Sequence, residues 1–332
     1  MIKNVFAPSS SAKGFINDLL EGQSSWQRPN RSIFIWRGVG DADNHKLVPT
    51  ALRDENRNRL LQLASLQENS LFTKLNPDQK QIYLEFRVVE QFFLMADRAG
   101  QSLPDTARDV YKVFDAYGGA ETQEQFELVF KNWLAKDIVG IVSLAQHYGL
   151  PTRLLDWSYN ALTAAFFAAE SAVSLMQQNP GNDPDTHFMG VWMASPHDIT
   201  SIANHHMTCG ERELRVEVGS PPRYQNPNLM AQAGLFTWIA GSDSRKLHAA
   251  KRPLDDLLED MYRAQGNTEP PYARPLALLT LPWAHADELL VRLYNLGVSR
   301  ARLEPGYAGV ARSLEQLAEL KWRPSRSLMS TK

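Results

Sequence analysis

The alternation of apolar and polar positions divides the chain into three blocks with different predicted structures. The first block contains an amphipathic helix, with Phe15, Leu19 and Leu20 on one face. After the polar stretch 21–30, the β-branched and aromatic residues 32–38 predict a buried strand that stops at Gly38.

The second block, residues 55–145, has helical periodicity throughout and predicts a large helical insertion. Asn76-Pro77-Asp78 is a helix start signal within it, because proline is favoured in the first turn of a helix.

The third block mixes helices and strands. An apolar, alanine-rich helix at 160–175 suits close packing against a sheet. Further strands are predicted at 188–193, 213–218, 235–239 and 276–281, and further helices at 138–146, 286–296 and 308–320. Helices grouped early favour an α+β fold over a doubly wound sheet. We therefore predict a small mixed or antiparallel sheet with a helical insertion and C-terminal helices.

This pattern also predicts the domain organisation. Residues 1–30 form an N-terminal helical segment, and residues 31–322 form a single domain that carries the insertion at about 55–145. Residues 323–332 are polar and predict a mobile tail.

Composition limits the function classes. The 332 residues are 43% hydrophobic and 22% charged, which is typical of a globular protein. A net charge of −2 excludes bulk attraction to nucleic acid or membrane but leaves a local basic groove open. The single cysteine excludes an internal disulfide. No apolar signal core or membrane-length segment is found, so a cytoplasmic location without membrane attachment is expected.

Most standard catalytic motifs are absent. Gly38-Val39-Gly40 begins like a dinucleotide fingerprint, but Asp43 replaces the third glycine. His205, His206 and Cys209 lack a fourth ligand nearby, so we interpret them as a loop and expect no metal.

Residues 146–158 concentrate polar and aromatic groups between two apolar helices, and such groups must be hydrogen-bonded. One interpretation is an internal network in which Arg153 pairs with Asp156 and Trp157 fills the core. The other is a ligand site, because stacking groups beside charged donors suit a nucleotide. Three other candidates for the ligand site also have a purely structural interpretation. Arg37 would cap the sheet through a salt bridge, Gly38 would be a turn glycine, and residues 232–234 would be a helix end.

Three segments occur in an order that resembles the FRG domain family. They are Trp36-Arg37-Gly38, the run from Gln146 to Ser158 (QHYGLPTRLLDWS), and the run from Ala231 to Thr237 (AQAGLFT). The resemblance covers residues 25–315. The chain departs from the family pattern at two places. Residues 226–230 lack the arginine that the family often has there, and Arg223 is a candidate substitute. Glu304 stands where the family prefers an aromatic residue.

A more distant resemblance is to ADP-ribosyltransferases, in the order of a strand-ending arginine, a serine that enters a helix, and a glutamine that opens a later strand. It implies an ADP-ribosyltransferase-like sheet and NAD⁺ as the substrate. Arg37 would contact a phosphate or ribose, and Ser158 would orient Arg37 or the ribose. Gln232 is neutral, so Asp156 is the candidate to supply negative charge. The implied catalytic residues are Arg37, Ser158, Gln232 and Asp156, and the implied cofactor-binding residues are Gly38, His147, Tyr148, Thr152, Arg153 and Trp157.

Three functions are compatible with this sequence. The first is an ADP-ribosyltransferase that modifies protein or nucleic acid as a toxin or antiphage effector, for which an antitoxin or chaperone would be the expected partner. The second is a non-catalytic nucleotide-sensing or protein-binding module. The third is a hydrolytic or nuclease-type effector, which lacks a clustered metal motif.

Overall fold

The computed structural model describes most of the chain. The described residues are 3–25, 33–44, 46–64, 70–103, 110–112, 114, 122–134, 136–209, 214–221, 227–241, 251–264, 266 and 276–320. The predicted tail at 323–332 lies outside them, as do residues 26–30 of the predicted N-terminal segment.

Within the described residues, seven strands form one sheet in the order β1-β7-β4-β2-β3-β6-β5. Neighbouring strands are antiparallel, except that β1 runs parallel to β7. The strands are β1 Lys3–Val5, β2 Ile35–Val39, β3 Leu155–Ser158, β4 Phe188–Ala194, β5 Leu214–Gly219, β6 Gly234–Gly241 and β7 Leu276–Pro282. Together with the helices they confirm the α+β class.

Helices lie before, between and after these strands. The α-helices of the described chain are α1 Ala12–Ser25, α2 Arg57–Leu63, α3 Ser70–Lys74, α4 Pro77–Arg98, α5 Gln123–Asn132, α6 Val139–His147, α7 Ala161–Gln178, α8 Pro196–Cys209, α9 Pro227–Ala231, α10 Leu254–Ala264, α11 Ala286–Asn295, α12 Arg300–Leu303 and α13 Tyr307–Glu319. Short 3₁₀ helices occur at Thr50–Leu52, Asp54–Asn56, Lys136–Ile138 and Trp283–His285. None of the described helices is both long and apolar enough to cross a membrane.

The sheet has an apolar layer on each face. One layer joins the helices between β2 and β3 to sheet residues such as Ile35, Trp157 and Trp192. The other joins α1, α7 and α11 to residues such as Trp36 and Val191. The helices between β2 and β3 therefore share a core with the sheet, because their apolar faces are buried directly against it.

The ladder of hydrogen bonds between β2 and β3 is almost absent at the centre of the sheet. Both strands are fully described, and their paired position is Trp36 opposite Ser158. Residues 37–39 pair with β4 on the other side, and residues 155–157 pair with β6. The sheet therefore has a break between β2 and β3, and groups there are available for other contacts.

Several boundaries follow the signals seen in the sequence. Asn76 caps α4 with a reciprocal capping box, and Pro77 is its first residue. Asn160 caps α7 by accepting a hydrogen bond from the Leu162 amide, 2.9 Å long. The strand that was predicted to stop at Gly38 extends to Val39.

Other expectations were wrong. The residues interpreted as a loop around His205 lie on α8, and the short β1, β3, α10 and α12 have no predicted counterpart. Gly38 is not a turn glycine, because it lies inside β2. A Cβ at this position would approach the backbone oxygen of Ala164 on α7 to 2.0 Å. Glycine is needed here because the strand and the helix lie in close contact.

Candidate functional site

A cavity of about 290 Å³ opens at the break between β2 and β3. Its size is at the lower end for small-molecule sites, which run to roughly 1,000 Å³. Seven of the ten predicted site residues line it: Arg37, Gly38, His147, Asp156, Trp157, Ser158 and Gln232. Residues separated by almost 200 positions in the sequence thus meet at one place.

Arg37 and Asp156 form the charged centre of this cavity. The Arg37 guanidinium pairs with Asp156 Oδ1 and also donates from Nη1 to the Asp156 backbone oxygen, 2.8 Å away. Arg37 thus spans the gap in the ladder between the two strands. The Arg37 side chain is 11% exposed, whereas 59% of Asp156 is accessible through the open cavity. The predicted salt bridge of Arg37 to the sheet and its predicted place in a ligand site are therefore compatible.

The Asp156 carboxylate is ionised at neutral pH. Desolvation by the surrounding cavity opposes ionisation, but the charge and hydrogen bond of Arg37 outweigh it and hold the pKa of Asp156 below its ordinary value of 3.8. The side-chain donors Arg37 and Gln146 both bond Oδ1. Among the described residues, Oδ2 has no side-chain donor, so this oxygen can accept a hydrogen bond from a ligand.

Gln146 fixes the orientation of Asp156. Its Nε2 donates to Asp156 Oδ1 over 3.1 Å, and its Oε1 accepts a hydrogen bond from the Thr152 hydroxyl. Thr152 in turn accepts from the Leu154 amide at 3.3 Å. Thr152 is thus one contact removed from the cavity, where it orients Gln146. The sequence motif contains Gln146, but its role follows only from the fold.

We expect Gln146→Leu to lower the free energy of unfolding by about 1–2 kcal/mol, because the Thr152 hydroxyl loses its acceptor and Asp156 loses a donor. Urea denaturation measures this loss. Gln178→Leu is the matched control, since Gln178 is exposed at the end of α7, and its effect should stay within about 0.5 kcal/mol. Equal effects of the two replacements would contradict this account.

Ser158 and Gln232 tie the cavity walls together. The Ser158 hydroxyl donates to the Gln232 backbone oxygen at 2.7 Å and accepts from the Asn160 amide at 2.9 Å. The Gln232 side chain donates from Nε2 to the Leu303 backbone oxygen at 3.1 Å. One structural interpretation was that residues 232–234 are a helix end, and they do follow directly after α9, which ends at Ala231. The residue with a left-handed φ, of 48°, is Ala233 and not Gly234.

His147 lies half-buried at the end of α6 and lines the cavity. Burial lowers the pKa of His147 from its ordinary value of 6.5; the Glu304 carboxylate opposes this shift, and the Arg312 and Arg300 guanidinium groups add to it. His147 is therefore neutral at physiological pH, with one ring nitrogen as donor and the other as acceptor.

This shift predicts a pH dependence of stability. Because the pKa of His147 is lower in the folded state, the unfolded state takes up a proton first as pH falls below 6.5. The free energy of unfolding should therefore fall between pH 6.5 and the folded-state pKa, and His147→Asn should reduce that fall. Urea denaturation between about pH 8 and pH 5 measures both slopes. An unchanged slope in His147→Asn would contradict the prediction.

Besides Thr152, two other predicted binding residues do not line the cavity. Tyr148 is 67% exposed, and its ring contacts His147 edge to face. Arg153 is buried and donates from Nε to Glu85 Oε2 over 2.5 Å. The predicted pairing of Arg153 with Asp156 is therefore wrong, because the two side chains have different partners. The predicted burial of Trp157 is confirmed, and its indole nitrogen donates to the Thr237 hydroxyl at 2.9 Å.

The cavity also contains groups that sequence reasoning missed. Thr50, before the helical region, and Glu304, after α12, both line it. No motif marks Thr50. Glu304 was noted only as a departure from a family pattern. Their place depends on tertiary packing.

The fold and the cavity define an α+β protein with a cavity, lined by charged, polar and aromatic residues, at a break in its sheet. Residues 32–176, a little under half of the chain, match the model of the FRG domain, which supports the resemblance carried by the sequence motifs. The match includes Arg37 and Asp156 and ends within α7, so Gln232 and Glu304 lie beyond it. Searches of curated proteins and of solved structures returned no match.

Proposed function

We propose that this protein is an ADP-ribosyltransferase-like enzyme that uses NAD⁺ to modify a macromolecule. The observation that carries the proposal is the Asp156 carboxylate. It is ionised, its Oδ1 is fixed by Arg37 and Gln146, and its Oδ2 is left for a ligand in an open cavity. A fixed negative charge beside a sugar is what cleavage of a glycosidic bond requires.

The proposed reaction breaks the bond between the anomeric carbon of the ribose and the nicotinamide nitrogen. The electron pair leaves with nicotinamide, and positive charge develops on the ribose. Asp156 stabilises that charge in the transition state, and a nucleophile of the acceptor then attacks the anomeric carbon and loses a proton. The aromatic lining residues Trp157, Phe167 and Phe236 offer apolar surface for the nicotinamide ring.

The volume of the cavity supports a partial enclosure of the substrate. About 290 Å³ suits one nucleoside-sized part of a dinucleotide, and the open mouth leaves the remainder outside. Such an arrangement keeps the reacting carbon accessible to a large acceptor, which is protein or nucleic acid in this proposal.

A second candidate is a nucleotide sensor without chemistry. It is favoured by the contacts of Ser158 and Gln232, two predicted catalytic groups that hold the cavity walls through the Gln232 and Leu303 backbone oxygens. In a sensor these contacts would report the presence of ligand to the C-terminal helices.

The test incubates the purified protein with NAD⁺ labelled in its ADP-ribose part, together with cell lysate, total RNA or DNA. Transfer of label and release of nicotinamide are expected from the wild type. Asp156→Asn should lower the rate about 100-fold or more, because it removes the fixed charge while it keeps the shape. The control Asp185→Asn changes an exposed loop and should retain full activity. Arg37 is a poorer probe, because it also joins β2 to β3.

Thermal unfolding with and without NAD⁺ separates the two candidates. Stabilisation by NAD⁺ without nicotinamide release would support the sensor, since a ligand that binds only the folded state raises its stability. Neither stabilisation nor release, from folded protein, would overturn both candidates.

The same proposal includes a role as a toxin or antiphage effector in the cytoplasm, held in check by an antitoxin or chaperone. Expression in a bacterial host should then arrest growth, and Asp156→Asn should relieve the arrest at an equal protein level. Growth arrest by both proteins alike would contradict this role.

A further inference from the structure

Glu304 places a second carboxylate in the cavity. It lies directly after α12 and lines the same cavity as Asp156 and His147. Its side chain is 17% exposed. Glu304 comes from the C-terminal helices, whereas Asp156 is on β3, so the two carboxylates belong to different walls.

Two guanidinium groups hold the Glu304 carboxylate. Arg300 donates from Nη1 to Oε1 at 2.6 Å, and Arg312 donates from Nη1 to Oε2 at 2.9 Å. Arg300 is itself anchored on α7, where its Nε donates to Glu170 Oε1 at 2.9 Å. Its guanidinium also lies 5.7 Å from the centroid of the Phe166 ring. The carboxylate therefore has a fixed position before any ligand arrives.

Glu304 keeps the capacity to accept further hydrogen bonds. A carboxylate offers about four lone-pair sites, of which the two arginine contacts use two. Neutral His147, which lines the same cavity, adds one donor and one acceptor. A carboxylate and a neutral imidazole in one cavity match a pair of neighbouring sugar hydroxyls, each of which can donate and accept.

We propose that Glu304 is the ribose-binding residue of this cavity and that it selects ligands with a 2′-hydroxyl. The proposal rests on the proposed function, in that the ligand is NAD⁺ and the sugar is its nicotinamide ribose. The two carboxylates then have separate tasks: Asp156 faces the developing charge, and Glu304 holds the sugar. An acidic residue that accepts from a ribose hydroxyl is a recurrent device in dinucleotide sites. Arg300 and Arg312 are positioning residues for Glu304.

The experiment measures, by calorimetry on the full chain, the affinities for NAD⁺ and for its analogue without the 2′-hydroxyl on the nicotinamide ribose. The wild type should prefer NAD⁺ by about tenfold or more, the value of a hydrogen bond to a charged acceptor. Glu304→Gln should reduce this preference to about twofold and leave the affinity for the analogue unchanged.

Glu315→Gln is the matched control, because it makes the same replacement at an exposed position of α13 that does not line the cavity. It should retain the preference of the wild type. Equal binding of the two ligands by the wild type, an unchanged preference in Glu304→Gln, or equal weakening of both ligands by that variant would overturn the proposal.

Failure of this proposal differs from failure of the proposed function. A preference for NAD⁺ over the analogue that depends on Glu304, without nicotinamide release, would overturn the proposed transferase activity and support the role of Glu304 in binding the ribose. Nicotinamide release without such a preference would do the reverse. If NAD⁺ does not bind, both proposals are overturned.

Discussion

Gly38→Ala should destabilise the protein by about 3 kcal/mol or more, at the upper end of overpacking effects. The added Cβ would lie 2.0 Å from the Ala164 oxygen and 2.7 Å from the Ala168 nitrogen. Both atoms belong to the backbone of α7, so no side-chain rotation can relieve the contact. Only separation of the strand from the helix can make room, and that separation breaks apolar packing on this face of the sheet.

Urea denaturation followed by tryptophan fluorescence measures this loss, and Gly181→Ala is the matched control. Gly181 lies in a loop with nothing within 4 Å of a built Cβ, so its replacement should change stability by no more than about 0.5 kcal/mol. Thr163, Ala164 and Phe167 of α7 line the cavity, so Gly38→Ala should also weaken the NAD⁺ binding that we propose. Equal stability of the two variants would show that α7 moves freely.

Glu85→Ala should cost about 3–5 kcal/mol, because it leaves the Arg153 guanidinium buried without its counter-charge. Glu85 and Arg153 are each 2% exposed. The Glu85 carboxylate also accepts hydrogen bonds from the side-chain amide of Gln81 at 2.9 Å and from the indole nitrogen of Trp133 at 3.0 Å. One replacement therefore leaves three donors without this acceptor.

The combined replacement Glu85→Leu with Arg153→Met should recover much of the loss. It removes both charges, and within the described residues the two terminal nitrogens of Arg153 are already buried without a hydrogen-bond partner. Glu288→Ala on α11 is the control: its pair with Arg292 is exposed and should contribute about 0.5 kcal/mol or less. A small effect of Glu85→Ala would mean that water reaches Arg153.

Local signals in the sequence account for several of the helices. Asn76 and Pro77 mark a helix start because capping and proline geometry depend on neighbouring residues only. The alanine-rich face of α7 likewise indicates close packing, although not the partner against which it packs. By contrast, β3 has four residues of mixed polarity, too few for a period of two to stand out.

The site was partly predictable because short local motifs contain several of its residues. Arg37, Ser158 and Gln232 were predicted as a group from motif order, and all three line one cavity. The partner of Arg153 could not be predicted, because Glu85 is 68 positions away on a helix without any matching motif. The position of Glu304 in the cavity depends on how α12 packs against α7, which no local sequence pattern specifies.

The strand order has a consequence for synthesis of the chain on the ribosome. The matched FRG segment, residues 32–176, contributes only β2 and β3 to the described sheet, and these two strands share a single paired position. β2 pairs with β4 and β3 pairs with β6, and both partners are synthesised later. The partner of β1 is β7, at residues 276–282, which is synthesised last of the described strands. The nascent chain therefore carries unpaired central strands and open apolar faces through most of translation, a condition that favours aggregation unless another protein shields them.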